Sequence, residues 1–256
     1  MLGTVAPGWL WAACGKHPAV SDFFQAGPAF PLMKGFSEWV DKGYQSLIRE
    51  KGYQPGPVTW RFWTRGAEKE GLAIGLLRDS SDCLGRPFPL LIMGTGPLHG
   101  WEDYWDLLPM ACEGAWERME YLSSQKLQDF RELEAQVQKL RPPWPRWEDL
   151  KAGRGAMKRD PDFETTLRDE AMNLSEKGGI VLRLHQDPLD DPFERVTLSH
   201  FIFKKEAKIV PNALFVGGAL EDLFLAVYAR PLAAGDFFQL WSVSSERREN
   251  GSRVSG

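Results

Sequence analysis

Across residues 30–51 the apolar side chains Leu32, Met33, Phe36, Trp39, Val40, Tyr44, Leu47 and Ile48 recur at three- and four-residue steps. That period gathers them on one stripe and predicts an amphipathic helix, ended by the Gly- and Pro-containing segment 52–57. Upstream, residues 9–14 read as a short buried strand. A polar turn over 15–24 follows it and carries Lys16, His17, Ser21 and Asp22. Downstream, 58–64 alternates like a strand, and 72–77 and 88–93 are apolar runs of strand length. The links between them contain Gly66, Gly71, Asp79, Asp82, Gly85 and Pro87, which are turn formers. Links this short favour antiparallel neighbours, so a sheet meander is expected.

A second helical pattern covers 101–138, with Trp105, Leu108, Cys112, Trp116 and Met119 on one face and Pro109 placed to split it. Residues 142–162 mix Pro, Gly, Lys and Arg and read as a long connection. Then 163–174 predicts another helix; 180–184, 197–203, 213–216 and 224–228 predict strands; and 235–241 predicts a terminal helical turn. Strands, then long helices, then strands again predict a mixed α+β chain. Its expected form is a single mixed, largely antiparallel sheet with helices packed against it. We expect one domain over 1–245 and a polar, frayed tail over 246–256.

Composition narrows the function more than the fold. The 256 residues are 43% apolar and 26% charged, enough for a core without disulfides or metal. A net charge of −4 offers no electrostatic case for nucleic acid or an anionic membrane surface. Cys14, Cys83 and Cys112 form no CxxC pair, so no zinc or redox motif is signalled; lone thiols suit a reducing cytoplasm. No stretch approaches the length of a membrane span, and the run 9–14 is too short for a signal peptide. Eleven Trp and fifteen Phe mean either a large aromatic core or an interface rich in aromatics.

The chain carries few residue patterns that signal chemistry. Gly15-Lys16 is followed by His17, so the phosphate-loop pattern fails. The run 94–100 carries glycines like a dinucleotide fingerprint, but the last falls one position late and Pro97 stiffens it. His17, Ser21 and Asp22 lie close together; turn capping by Ser21 and Asp22 is the stronger reading, a hydrolase site the weaker. Asp187, Asp190 and Asp191 could hold a hard cation but lack calcium-loop spacing, and a solvated acidic turn fits better. His99, His185 and His200 have no ligand partners at useful spacing. We therefore expect no cofactor and no metal.

Two segments depart from this plainness. Residues 15–23 read Gly-Lys-His-Pro-Ala-Val-Ser-Asp-Phe, and 79–90 read Asp-Ser-Ser-Asp-Cys-Leu-Gly-Arg-Pro-Phe-Pro-Leu. They resemble the GKLPxxGDF and PSxDxxGRxFPL segments of the TagF (ImpM) family, and Trp60-Arg61-Phe62 resembles that family's WRF strand. The likeness is best over 9–95. Residues 213–218 stand where the family often has a Trp-Trp strand, and Asp236-Phe237-Phe238 resembles its closing segment. His17 replaces the usual Leu, Val20-Ser21 replaces a basic-Gly pair, and the late Trp pair is missing. The resemblance implies a type VI secretion accessory protein, a post-translational regulator and typically a repressor. It implies protein partners, with a forkhead-associated scaffold among them, and a binder instead of an enzyme.

The residues themselves suggest why these turns matter. Arg86 can fork onto the carboxylate of Asp22 or Asp82. One reading is a buried Arg–Asp pair that joins two turns. A second is a surface groove of Lys16, Asp22, Asp82 and Arg86 that grips a partner protein, and a third is a small-ligand site.

Overall fold

The computed structural model describes residues 8–50, 57–155, 161–184, 191–219 and 222–243. In chain order the elements are β1 (Leu10–Gly15), β2 (Phe24–Ala26), α1 (Pro31–Arg49), β3 (Val58–Arg65), β4 (Gly71–Arg78) and β5 (Leu90–Pro97). A 3-10 turn (Trp105–Leu107) leads into α2 (Leu108–Ser124), α3 (Phe130–Val137), α4 (Trp147–Gly155) and α5 (Pro161–Lys177). Then come β6 (Gly179–Leu184), α6 (Pro192–Ala207), β7 (Ala213–Ala219), β8 (Leu223–Tyr228) and α7 (Ala234–Ser242).

The eight strands form one open sheet in the order β2-β1-β5-β4-β3-β7-β8-β6. Every ladder is antiparallel. The expected α+β architecture is thus observed, with no parallel pair among the described strands. Each face is covered. Residues of α1 and α7 cluster on one side, and those of α2, α3, α5 and α6 on the other.

Strand alternation explains how both cores are filled from one sequence. In β3, Val58, Trp60 and Phe62 join the α1–α7 core while Trp63 joins the opposite one. On the first side Phe36 stacks on Phe62 at 5.1 Å and Phe237 stacks on Trp241 at 4.5 Å. Nine of the eleven tryptophans are buried, so the aromatic excess is mainly core. Gly94 and Gly96 are explained by the same packing. A Cβ at Gly94 would lie 2.2 Å from the Trp11 ring, and one at Gly96 would lie 2.5 Å from the Trp9 ring. The glycine run that resembled a nucleotide fingerprint is a strand with seats for two indoles.

Three expectations need correction. Residues 197–203 are not a strand but the centre of α6. Asp191 caps that helix by accepting from the Phe193 N–H, and Pro192 opens it. Thr197 to His200, Ile202 and Phe203 are all buried. A helix enclosed nearly all round loses its polar face, and its apolar run then imitates a strand. Pro109 starts α2 instead of splitting a helix, because its missing N–H costs nothing in a first turn. The break falls at Gln125, before Asp129 caps α3 by accepting from Glu132 N–H. The connection 142–162 contains α4, docked where the Trp147 ring stacks on Tyr104 at 5.1 Å and where Arg154 pairs with buried Asp106. The expected tail from Glu246 and most of the acidic segment 187–191 lie outside the described residues.

Candidate functional site

The turn after β1 and the turn before β5 are seventy residues apart in sequence at Lys16 and Arg86, yet Lys16 Nζ donates to the Arg86 carbonyl at 3.3 Å. Pairing of β1 with β5 brings them together, with Gly15 opposite Leu90. Gly15 is required there. Its φ is +113°, and a Cβ would stand 2.0 Å from the Pro89 carbonyl oxygen.

Asp82 organises the second turn. Its Oδ1 accepts from the Leu84 and Arg86 N–H groups, each at 3.0 Å. Gly85, at φ +76°, donates its N–H to the Asp82 carbonyl at 2.9 Å. Oδ2 takes the Lys16 ammonium at 3.0 Å and the Arg86 Nε at 2.7 Å. The carboxylate is out of contact with solvent, though it lies just beneath the surface. Burial pushes its pKa up, but the Arg86 N–H, Lys16, the Arg86 guanidinium and the Leu84 N–H outweigh that effect and hold it well below the usual carboxylate range.

Arg86 links the two turns. Its Nη2 donates to the Ser21 carbonyl at 2.6 Å and lies 3.7 Å from Asp22 Oδ1. Cys83 N–H donates to the Val20 carbonyl at 2.9 Å. All four residues singled out from sequence therefore meet, but in two layers. Lys16 and Asp82 are the buried ion pair. Arg86 and Asp22 are half or more exposed, their side chains at 50% and 68%. The buried-pair reading had the wrong cation: lysine is buried, and the arginine lies across the surface.

Sequence reasoning passed over two further side chains. Phe23 (54% exposed) and Leu84 (69% exposed) project from the same two turns. Phe23 meets Phe88 edge-on at 4.5 Å and receives the Lys16 ammonium over its ring at 5.0 Å. Beside it lies an open pocket of about 380 Å³ lined by Phe23, Phe88, Val40 and Asp41. The signal for Phe23 was available in Phe23-Phe24, since adjacent residues at a strand start face opposite sides and only Phe24 can reach the core.

The hydrolase alternative is not supported by this geometry. His17 is fully buried, and its Nδ1 accepts from the Ala19 N–H at 3.1 Å. Burial pushes its pKa down; the Leu122 carbonyl opposes this and Arg78 reinforces it. That carbonyl is an electrostatic neighbour, because Nε2 makes no bond of normal geometry. Asp22 faces solvent and accepts from the Phe23 N–H at 2.8 Å, so it does not orient His17. His200 is a core residue, bonded through Nδ1 to the Val196 carbonyl at 2.8 Å and accepting from Trp63 Nε1 at 3.4 Å. His99 is exposed and pairs with Glu70, and His185 lies outside the described residues. Among the described residues no group of three or more His, Cys, Asp or Glu could hold a metal ion, and no helix is long and apolar enough to cross a membrane.

A third cluster was not foreseen. Arg61, the middle residue of the Trp-Arg-Phe run, forks onto Glu120 at 2.7 Å twice and onto Glu113 at 2.9 Å twice. Glu113 and Glu120 stand seven residues apart on α2, two turns along one face. Burial would lower the Arg61 pKa, but the two carboxylates raise it above its usual value. This ion group fastens α2 to the sheet.

The fold is similar to that of PA0076 from Pseudomonas aeruginosa PAO1, solved at 2.05 Å resolution. The two share 18% identity with a TM-score of 0.53, over 90% of this chain and 93% of that one. No curated protein matches the chain. Residues 12–141, just over half of the sequence, match the TagF N-terminal domain, described as type VI secretion system-associated. The match runs past the best-resembling stretch 9–95 to include α2 and α3. The chain belongs to the TagF N-terminal domain family and is a type VI secretion system-associated protein.

Proposed function

We propose that the protein is a non-enzymatic regulator, a repressor of type VI secretion, that docks on a partner protein in the cytoplasm. The forkhead-associated scaffold of the same system is the first partner to test, as the family resemblance implies. The observation that carries this reading is the pairing of the two motif turns into one rigid surface. Buried Lys16 and Asp82 fix the frame, and Arg86, Asp22, Phe23 and Leu84 are displayed on it. Exposed apolar side chains around an arginine, next to an open pocket, have the make-up of an interface hot spot. Because the turns are already held by hydrogen bonds, docking orders little chain and loses little entropy.

The test is affinity capture of the purified chain against the forkhead-associated protein and the sheath and baseplate components, alongside a secretion assay. Arg86→Ala should weaken capture and release secretion while the fold stays intact. Secretion that stays the same on both deletion and overexpression would remove the repressor reading.

A further inference from the structure

Away from the motif turns, Trp144 is 80% exposed, in a chain that buries nine of its eleven tryptophans. It stands over an open groove of about 520 Å³ between α2 and the segment after α3. The floor is made by Gly114 and Ala115 of α2, small enough to leave space, and the sides carry Arg118, Lys139 and Arg141. Among the described residues no carboxylate lines this groove. Arg118 is steered by Gln136, which accepts from its Nη2 at 2.7 Å, and by Tyr121, whose ring lies 5.0 Å beneath the guanidinium.

The sequence around Trp144 explains its poise. Pro143 precedes it and Pro145 follows, so the backbone is held extended. Pro143 and Leu140 are buried and anchor the segment. A large aromatic that is already fixed loses little freedom on binding, which is the property of an anchor residue.

We propose that this groove is a second docking site, independent of the Arg86 surface, for an extended acidic segment of a partner protein that lays a proline or aliphatic residue on Trp144. Three cations without a lining carboxylate select negative charge. The overall charge of −4 confines that attraction to the groove and disfavours a nucleic acid, which would meet repulsion elsewhere.

The experiment is fluorescence anisotropy with a labelled Glu/Asp-rich peptide containing one Pro-Leu pair. A Lys-rich peptide of equal length and single-stranded oligothymidylate serve as comparison probes. The acidic peptide should bind with an affinity that falls as salt rises, and the lysine peptide should not bind. Trp144→Ala, the pair Lys139→Glu with Arg141→Glu, and Gly114→Phe should each weaken binding by about tenfold or more. These positions are exposed, and a Cβ at Gly114 would meet nothing within 4 Å, so the variants should keep the wild-type unfolding midpoint. No binding of the acidic peptide, binding that survives all the variants, or oligothymidylate binding as tightly at the same residues would overturn the proposal.

Discussion

The Lys16 ammonium lies 3.0 Å from the Asp82 carboxylate, and neither side chain is more than 7% exposed. This pair ties the turn after β1 to the turn before β5. It also divides the motif residues into those that hold the frame and those that can touch a partner. Removing Asp82 leaves the Lys16 ammonium without its counter-charge beneath the surface, and removing Lys16 leaves the buried Asp82 carboxylate with the half-exposed Arg86 as its cation. Asp82→Ala and Lys16→Met should therefore each lower the thermal midpoint clearly. Asp82→Ala combined with Lys16→Met should cost less than the two single changes added together, as expected for groups in direct contact. Thermal unfolding of the singles and the double checks this; strict additivity would mean that the pair is not coupled.

Arg86 should behave differently. Its side chain is half exposed, and Lys16 still neutralises Asp82 when it is gone. Arg86→Ala should shift stability by about 1 kcal/mol or less, as read by urea unfolding, while partner binding weakens by about tenfold. A large stability loss with unchanged binding would make Arg86 a frame residue only.

The two motif glycines should separate in the same way. Gly15→Ala forces a Cβ into the Pro89 carbonyl at a positive φ, and should cost roughly 3 kcal/mol or more. Gly85→Ala has the strained φ but open space around it, and should cost about 1 kcal/mol. Equal losses in denaturant melts would contradict the close approach at Gly15.

The sequence revealed the sheet because its strands carry local signals: alternation in β3, and apolar runs bounded by Gly and Asp in β4 and β5. It also revealed which four polar residues would meet, since the family motifs isolate them. It did not reveal which cation is buried. Lys16 and Arg86 lie in equally polar turns, and only the strand pairing of Gly15 with Leu90 carries Lys16 beneath the surface. The helix α6 was hidden for a related reason. Burial by neighbours on nearly all sides erased the polar face that would have shown a helical period. Arg61 was seen as part of a strand motif, but its carboxylate partners come from α2, whose placement over the sheet is tertiary information.

Stability should fall as the pH is lowered from neutral. Buried His200 has its pKa pushed from 6.5 down to about 4, so the unfolded chain binds a proton over that interval and the folded chain does not. The stabilisation is full above about 6.5 and should be lost by roughly 3 kcal/mol on reaching about 4. His17 adds in the same direction, and Asp82 adds a further loss below its ordinary value of 3.8. Asp79 and Glu113, raised by burial, act in the opposite sense. Urea midpoints at pH 7.5 and pH 5 should therefore differ for the wild type and differ less for His200→Gln. Identical pH dependence in the two would remove His200 as the source.

The docking surface itself is tested most directly by placing a photo-crosslinking amino acid at Leu84 in cells with an active type VI secretion system. Leu84 belongs to the Asp82 turn and is 69% exposed, so the probe should not disturb the frame. The account predicts a covalent adduct with a protein of the secretion system, lost when Arg86→Ala is added. No adduct from Leu84, or an adduct undiminished by Arg86→Ala, would contradict it.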